Sequence, residues 1–296
     1  MNLYEIRYSI YRDLGQAPNN NDVLPASTPT VTGGPTVDAT ANLGYKTFAE
    51  LTSCFVRIFT KNATSETYLY SAPKDLLGND LRVVTYDGAE LHKSSTAAED
   101  ARLIAWRDTA SGTPLKWFWQ DARQIRLFPT PYFTSGTHPI AWEQYCIPYS
   151  IGDGLATITR AANVVTAATN RAHNLAVGDL IRIYGVTDAL TTHFDIASVA
   201  VASVPTITTF TYAHTGDAGS GTAAIGIVGY ASGVLPLYLD GDSPELPNTF
   251  HDALRAFAVW TLGEGYLLSE QEKPQRIEAA RQEFMARRMM AERGIT

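Results

Sequence analysis

The chain has 296 residues, 45% of them hydrophobic, enough for a sizeable core and for more than one domain. Charged residues make up only 18%, with a formal net charge of -7 and a pI near 5.4, which excludes a broad cationic surface for gripping phosphates. No stretch approaches the roughly 20 apolar residues of a membrane span, and Cys54 and Cys146 lack any Cys-x-x-Cys spacing, so both read as buried thiols of a protein folded in a reducing cytoplasm.

The N-terminal "MNLYEIRYSIYRDLG" interleaves charged and apolar residues, unlike a signal peptide. Leu3, Ile6, Ile10 and Leu14 recur at three- and four-residue spacing before Gly15 and Pro18, which predicts a short amphipathic helix over 2–14. Residues 16–36, rich in Pro, Asn, Thr and Gly, predict a long loop. A second helix is expected to carry Leu51, Phe55, Ile58 and Phe59.

From Tyr68 the period shortens. "LRVVTYDGAELHK" predicts a hairpin turning at Asp87-Gly88, where positive φ is needed. "STAAEDARLIAWRD" reads as a helix with Thr96 and Glu99 as a capping box. "LKWFWQ" and "RQIRLFPTP" are β runs joined through Asp121-Ala122, and "HPIAWEQYCIPY" is a third strand. In a strand, Trp117 and Trp119 point to one face and Phe118 to the other, as in a scaffold whose two sides are both covered.

Residues 155–229 contain no Lys and no Glu and are dominated by Thr, Ala, Val, Ile and Gly, which predicts an all-β module placed between glycine-rich joints at Gly152–Gly154 and Gly229–Gly233. Within it "VVTAATNRAHNLAVGDLIRIYGV" gives strand, turn, strand, and "FDIASVAVASVPTITTFTYAH" two more linked at Pro205. Beyond it, Pro247 and an Asn248 or Thr249 N-cap open a helix with Phe250, Leu254, Phe257, Ala258, Thr261 and Leu262 on one face. A last helix after Pro274 carries Ile277, Ala280 and Phe284, and the two read as a helical hairpin.

The histidines (His92, His138, His173, His193, His214 and His251) stand in no metal-ligand or nucleophile pattern. His251 and Asp252 are adjacent on a helix and point about 100° apart. "YLDGDSPEL" lacks the sixth-position Gly and distal Glu of a calcium loop, and "TGGP" and "GDAGSG" open no helix and precede no Lys-Ser/Thr pair. No catalytic, cofactor-binding or metal residue is therefore assigned, no cofactor is expected, and the chain is not expected to be an enzyme. Arg281, Arg287, Arg288 and Arg293 are offset by Glu278, Glu283 and Glu292. Met285, Met289 and Met290 beside Arg287, Arg288 and Arg293 form a candidate docking surface, because thioethers fit irregular apolar grooves and guanidinium groups bond carboxylates in pairs.

The order "VVTYDGAEL", an acidic helix ending in "AWRD", "SGTPLKWFWQD…IRLFPTP", a strand ending in Pro148-Tyr149, and "LPNTFHDALRAFAVWTLGEGYLL" resembles the head-to-tail adaptor (connector) proteins of tailed bacteriophages, over roughly residues 1–150 and 235–290. The positions that match the family's structural motif are Tyr86, Asp87 and Gly88, then Gly112, Pro114, Trp117, Trp119 and Pro129, then Leu246, Pro247, Ala253 and Leu254. The resemblance implies an α+β fold: a helical bundle made of the N-terminal helix and the C-terminal helical hairpin, with a small antiparallel β portion. That core would comprise 1–151 and 234–296, with 152–233 as an inserted all-β module similar to small Thr/Val/Gly-rich domains of phage structural proteins. It further implies a structural virion protein at the head-tail junction, assembled in the host cytoplasm. Such a subunit forms a ring, commonly a dodecamer, under the portal protein, extends the DNA channel and seats a tail or nozzle protein. Genomic DNA would pass without specific binding, which suits an acidic chain, no membrane partner is implied, and the inserted module could dock tail fibres. The alternative from another class is a tail-associated carbohydrate-binding or fibre-docking protein, which needs Trp117 or Trp119 exposed.

Overall fold

A computed structural model describes residues 1–14, 37–73, 76–102, 111–121, 123–186, 193–216, 218–221, 226–237, 242–266 and 273–293, with backbone alone at 77–80, 100–102, 220–221 and 264–266. Among the described residues the protein is mixed α+β, 31% helical and 37% strand. Its helices are α1 (Leu3–Asp13), α2 (Val37–Thr52), α3 (Thr96–Arg102), α4 (His251–Tyr266) and α5 (Lys273–Glu292). Two compact units emerge: Met1–Phe55 together with Val234–Thr296, and Val56–Gly233. The second unit holds the strands of 56–146 together with those of the stretch 155–230.

The first unit is helical. Asn2 caps α1 reciprocally: its side chain accepts from Glu5 N–H and the Glu5 carboxylate accepts from Asn2 N–H, each at 2.9 Å. The predicted stripe Leu3, Ile6, Ile10 and Leu14 is buried. Arg7 donates to both Asp38 oxygens at 2.8 and 2.9 Å, tying α1 to the first turn of α2. Gly44 lets α2 approach α4 closely, since a Cβ there would lie 2.9 Å from a Phe257 ring carbon. Phe284 of α5 meets Phe48 of α2 and Phe257 and Trp260 of α4, at ring separations of 6.2, 5.2 and 6.2 Å. Asp252 faces Arg287 and Arg255 faces Glu283, so residue numbers rise along α4 as they fall along α5, and the two helices are antiparallel.

In the second unit the first strands are β1 (Val56–Asn62), β2 (Leu69–Ser71), β3 (Leu76–Tyr86), β4 (Ala89–Glu90), β5 (His92–Lys93), β6 (Ser111–Gly112), β7 (Lys116–Asp121), β8 (Gln124–Phe128), β9 (Thr130–Pro131) and β10 (Pro139–Cys146). They form sheets ordered β1-β10-β3-β4, β2-β8-β7-β5 and β6-β9. Across the first, Phe59, Trp142 and Val84 are in register and buried, whereas Ile58, opposite Glu143 and Val83, is 62% exposed. The alternation follows from the two-residue period of a pleated strand.

The remaining strands, β11 (Leu155–Ala161), β12 (Val164–Thr169), β13 (Leu180–Tyr184), β14 (Ile196–Thr206), β15 (Thr209–Ala213), β16 (Gly219–Gly221) and β17 (Ile227–Tyr230), make one sheet ordered β16-β11-β12-β15-β14-β13-β17. Ile158, Val165, Ala167, Phe210, Tyr212 and Ile181 fill its core. This sheet meets β1 within the unit: Lys61 Nζ lies 2.6 Å from Asp179 Oδ1, and the Phe59 and Tyr230 rings meet edge-on at 6.0 Å.

Several expectations are corrected. The second helix is Val37–Thr52, so Leu51 lies in its last turn, Phe55 follows it, and Ile58 and Phe59 lie in β1. Apolar spacing across 51–59 fits helix and strand alike, and Val56-Arg57-Ile58-Phe59 settles as strand because it pairs along its length with β10. Ser95, not Thr96, caps α3, with Ser95 Oγ accepting from Ala98 N–H at 3.2 Å. Glu99 instead turns inward to Lys116 at 2.9 Å and to the Ser94 hydroxyl at 2.6 Å. Pro205 lies within β14, and Ile207-Thr208 makes the turn. Cys54 is exposed, beyond the left-handed Ser53 (φ 49°) that ends α2, and Cys146 alone of the two cysteines is buried. Thr261 is exposed on α4 and donates to Phe257 O at 2.8 Å. The loop 16–36 and "AWRD" lie outside the described residues.

Candidate functional site

The docking candidates occupy the second half of α5, with Arg293 just beyond its end. Its inward stripe is Ala280 and Phe284, with Ile277 and Arg287 half-buried on the same side. Opposite, one helical turn apart, Met285 and Met289 are 37% and 49% exposed, a pair of thioether side chains turned to solvent. Met290 is half-buried and Arg293 exposed.

The arginines divide by partner. Arg287 is held inward, donating to Thr249 O and to Asp252 Oδ2, the latter at 3.2 Å. Arg288 bonds Glu292 on its own helix at 2.7 Å. Arg255 is the hub of the helical unit: it donates to Asp13 at 2.6 Å and to both Glu283 oxygens at 3.0 and 2.9 Å. Burial pulls its pKa down, but Asp13, Glu283 and Asp252 together outweigh that and hold it above the ordinary arginine value. A cleft of about 320 Å³ opens beside it between Arg12, Val259, Arg276 and Glu283. Sequence spacing places Arg287 and Arg288 side by side as equals; the fold makes Arg287 structural and leaves Met285 and Met289 as the free apolar pair.

At the start of α4, Leu246, Ala253 and Leu254 are buried, and exposed Pro247 precedes a single 3-10 turn at Asn248–Phe250. His251 is buried, its Nε2 2.8 Å from Leu246 O and its Nδ1 2.8 Å from the N-terminal ammonium. Burial pushes its pKa below the ordinary histidine value. This neutral ring pins the helix start, a role that residue spacing could not signal because both partners are backbone groups.

In the β unit, Tyr86 is buried while Asp87 (φ 51°) and Gly88 (φ 78°) make the tight turn, the two consecutive positive φ values that this hairpin type requires. Gly112 pairs with Pro131, Pro114 is buried, and Pro129 follows Phe128 through a cis bond. Trp117 is 2% exposed and meets half-buried Trp119 edge-on at 6.2 Å, while Phe118 is buried on the other face. A sugar platform on paired tryptophans is thus not formed.

Among the described residues, no cluster of three or more His, Cys, Asp or Glu is placed to hold a metal ion, and no helix is long and apolar enough to cross a membrane. Neither family models nor curated proteins compared with the chain match it.

Proposed function

We propose that this chain is a head-to-tail adaptor of a tailed bacteriophage virion: a non-enzymatic subunit that forms a ring under the portal protein, lines the DNA channel and receives the tail. The observation that carries the reading is the exposed Met285–Met289 pair on a helix whose opposite face is locked by Phe284, next to the ordered motif set that resembles this family. On this reading α1, α2, α4 and α5 are the adaptor's bundle, and the stretch 155–229 between β10 and the last helices is a decoration inserted into it.

The chemistry offered by α5 is an adaptable apolar ridge flanked by Arg288 and Arg293, suited to an apolar groove with acidic edges on the portal. The test is native mass spectrometry and negative-stain microscopy of the full chain, alone and mixed with the portal protein of its own phage. A closed ring on the portal is expected, and Met285→Ser with Met289→Ser should remove portal binding while leaving helical content intact. A chain that stays monomeric and unbound at every concentration of portal would overturn the proposal.

A further inference from the structure

His138 ends the loop Tyr132–His138, which folds back over the Tyr86-Asp87-Gly88 turn. Its Nδ1 is 2.6 Å from Asp87 Oδ2 and its Nε2 3.3 Å from Ser135 O. The imidazole meets two rings, near-parallel to Tyr86 at 5.9 Å between centroids and tilted on Phe133 at 4.3 Å. Both ring nitrogens therefore face oxygen acceptors. Only the doubly protonated imidazolium donates to both, and loss of one proton leaves one acceptor unserved.

At its two ends the loop is held by hydrogen bonds that do not titrate. Phe133 N–H donates to Ser65 Oγ at 3.1 Å, Glu66 N–H to Pro131 O at 2.7 Å, and Ala63 N–H to His138 O at 2.7 Å. Asp87 is the charged group facing His138 from the β3–β4 turn, and Tyr86 the second titratable one. On the Thr64–Thr67 turn the charged residue is Glu66, and on β1 Lys61 is engaged by Asp179.

We propose that His138 and Asp87 form a pH-sensitive clasp, which holds the Tyr132–His138 loop closed over Tyr86 while the imidazole is charged and loosens it when the ring is neutral. The inference stands independently of the adaptor reading. The hydrogen bond with Asp87 raises the His138 pKa above 6.5, against a lesser opposing effect of desolvation. Because the folded value is the higher one, the clasp contributes fully below the unfolded value and is lost as pH rises through the folded value.

Asp87→Asn is the discriminating variant, since Asn tolerates positive φ and keeps the turn while removing the charge. Side-chain NMR of the full chain, with His138 assigned by its absence in His138→Asn, should show it titrating above an ordinary histidine and moving down in Asp87→Asn. Hydrogen exchange of amides 132–138, taken as the ratio of wild type to Asp87→Asn at each pH so that intrinsic chemistry cancels, should show wild-type protection at low pH that disappears above the wild-type pKa. A His138 pKa at or below the ordinary value, or equal loop protection in both proteins across the whole range, would overturn the clasp.

Discussion

At Gly44, two effects of opposite sign meet. Alanine gains about 1 kcal/mol of helix propensity over glycine, but its Cβ would stand 2.9 Å from the Phe257 ring, within the α2–α4 contact. Overpacking of this kind costs about 1–3 kcal/mol, and Phe257 has little room because it also packs on Phe284 at 5.2 Å. Gly44→Ala is expected to destabilise the protein by about 1 kcal/mol net, read as a lower urea midpoint at unchanged slope. His251 gives a pH signature. Its folded pKa lies below the unfolded one, so the unfolded state binds the proton first as pH falls. Its contribution is complete above about pH 6.5 and is lost on acidification below that. His251→Gln retains a donor for Leu246 O without a titrating ring, and its thermal midpoint should fall less than that of the wild type between pH 7 and 5.

At the scale of elements, α5 must both anchor and display. Phe284 touches three rings, so Phe284→Ala should cost about 3–5 kcal/mol. Ending the chain after Arg281 deletes the same anchor, and should melt the α4–α5 hairpin by circular dichroism, whereas the Met285 and Met289 substitutions leave it whole. The sequence made α1, the Asp87-Gly88 hairpin, the β7–β8 pair and the Phe284 stripe legible, because each is a local pattern: a helical stripe, a turn dipeptide, an alternation. It did not reveal that residues 56–62 leave the helix for a sheet, because their strand partner, β10, lies far downstream and decides the matter by pairing. Nor could spacing separate Arg287 from Arg288 or expose the His138–Asp87 pair, since these depend on what the next element brings alongside. Thr96 and Glu99 matched a capping box, yet the half-buried Lys116 ammonium drew Glu99 inward.

For the molecule as a whole, the composition changes at residue 155, while the compact units divide at Phe55/Val56 and Gly233/Val234. Composition reports what a segment buries in itself; the Phe59–Tyr230 and Lys61–Asp179 contacts that join β1 to the seven-stranded sheet are invisible to it. A chain in which 56–233 is replaced by a flexible Gly/Ser linker is expected to keep its helices and melt in one cooperative transition, since Ile6, Phe48, Leu254 and Phe284 all lie within the helical unit and are buried. A broad, non-cooperative loss of ellipticity would show the helical unit is not self-sufficient.

Because that helical core is assembled from segments on either side of the β unit, its two halves leave the ribosome far apart in time. At about 5–20 residues per second, synthesis of the intervening Val56–Gly233 stretch delays α4 behind α2 by roughly 10–35 s. During that interval α1 and α2 lack the later helices they pack against in the finished protein, in which Leu3, Ile6, Ile10 and Phe48 are buried. The nascent α1–α2 pair is thus the natural substrate for a chaperone that shields apolar helices, and ribosomes stalled before α4 should carry chains whose β unit resists protease while residues 1–55 are still cut.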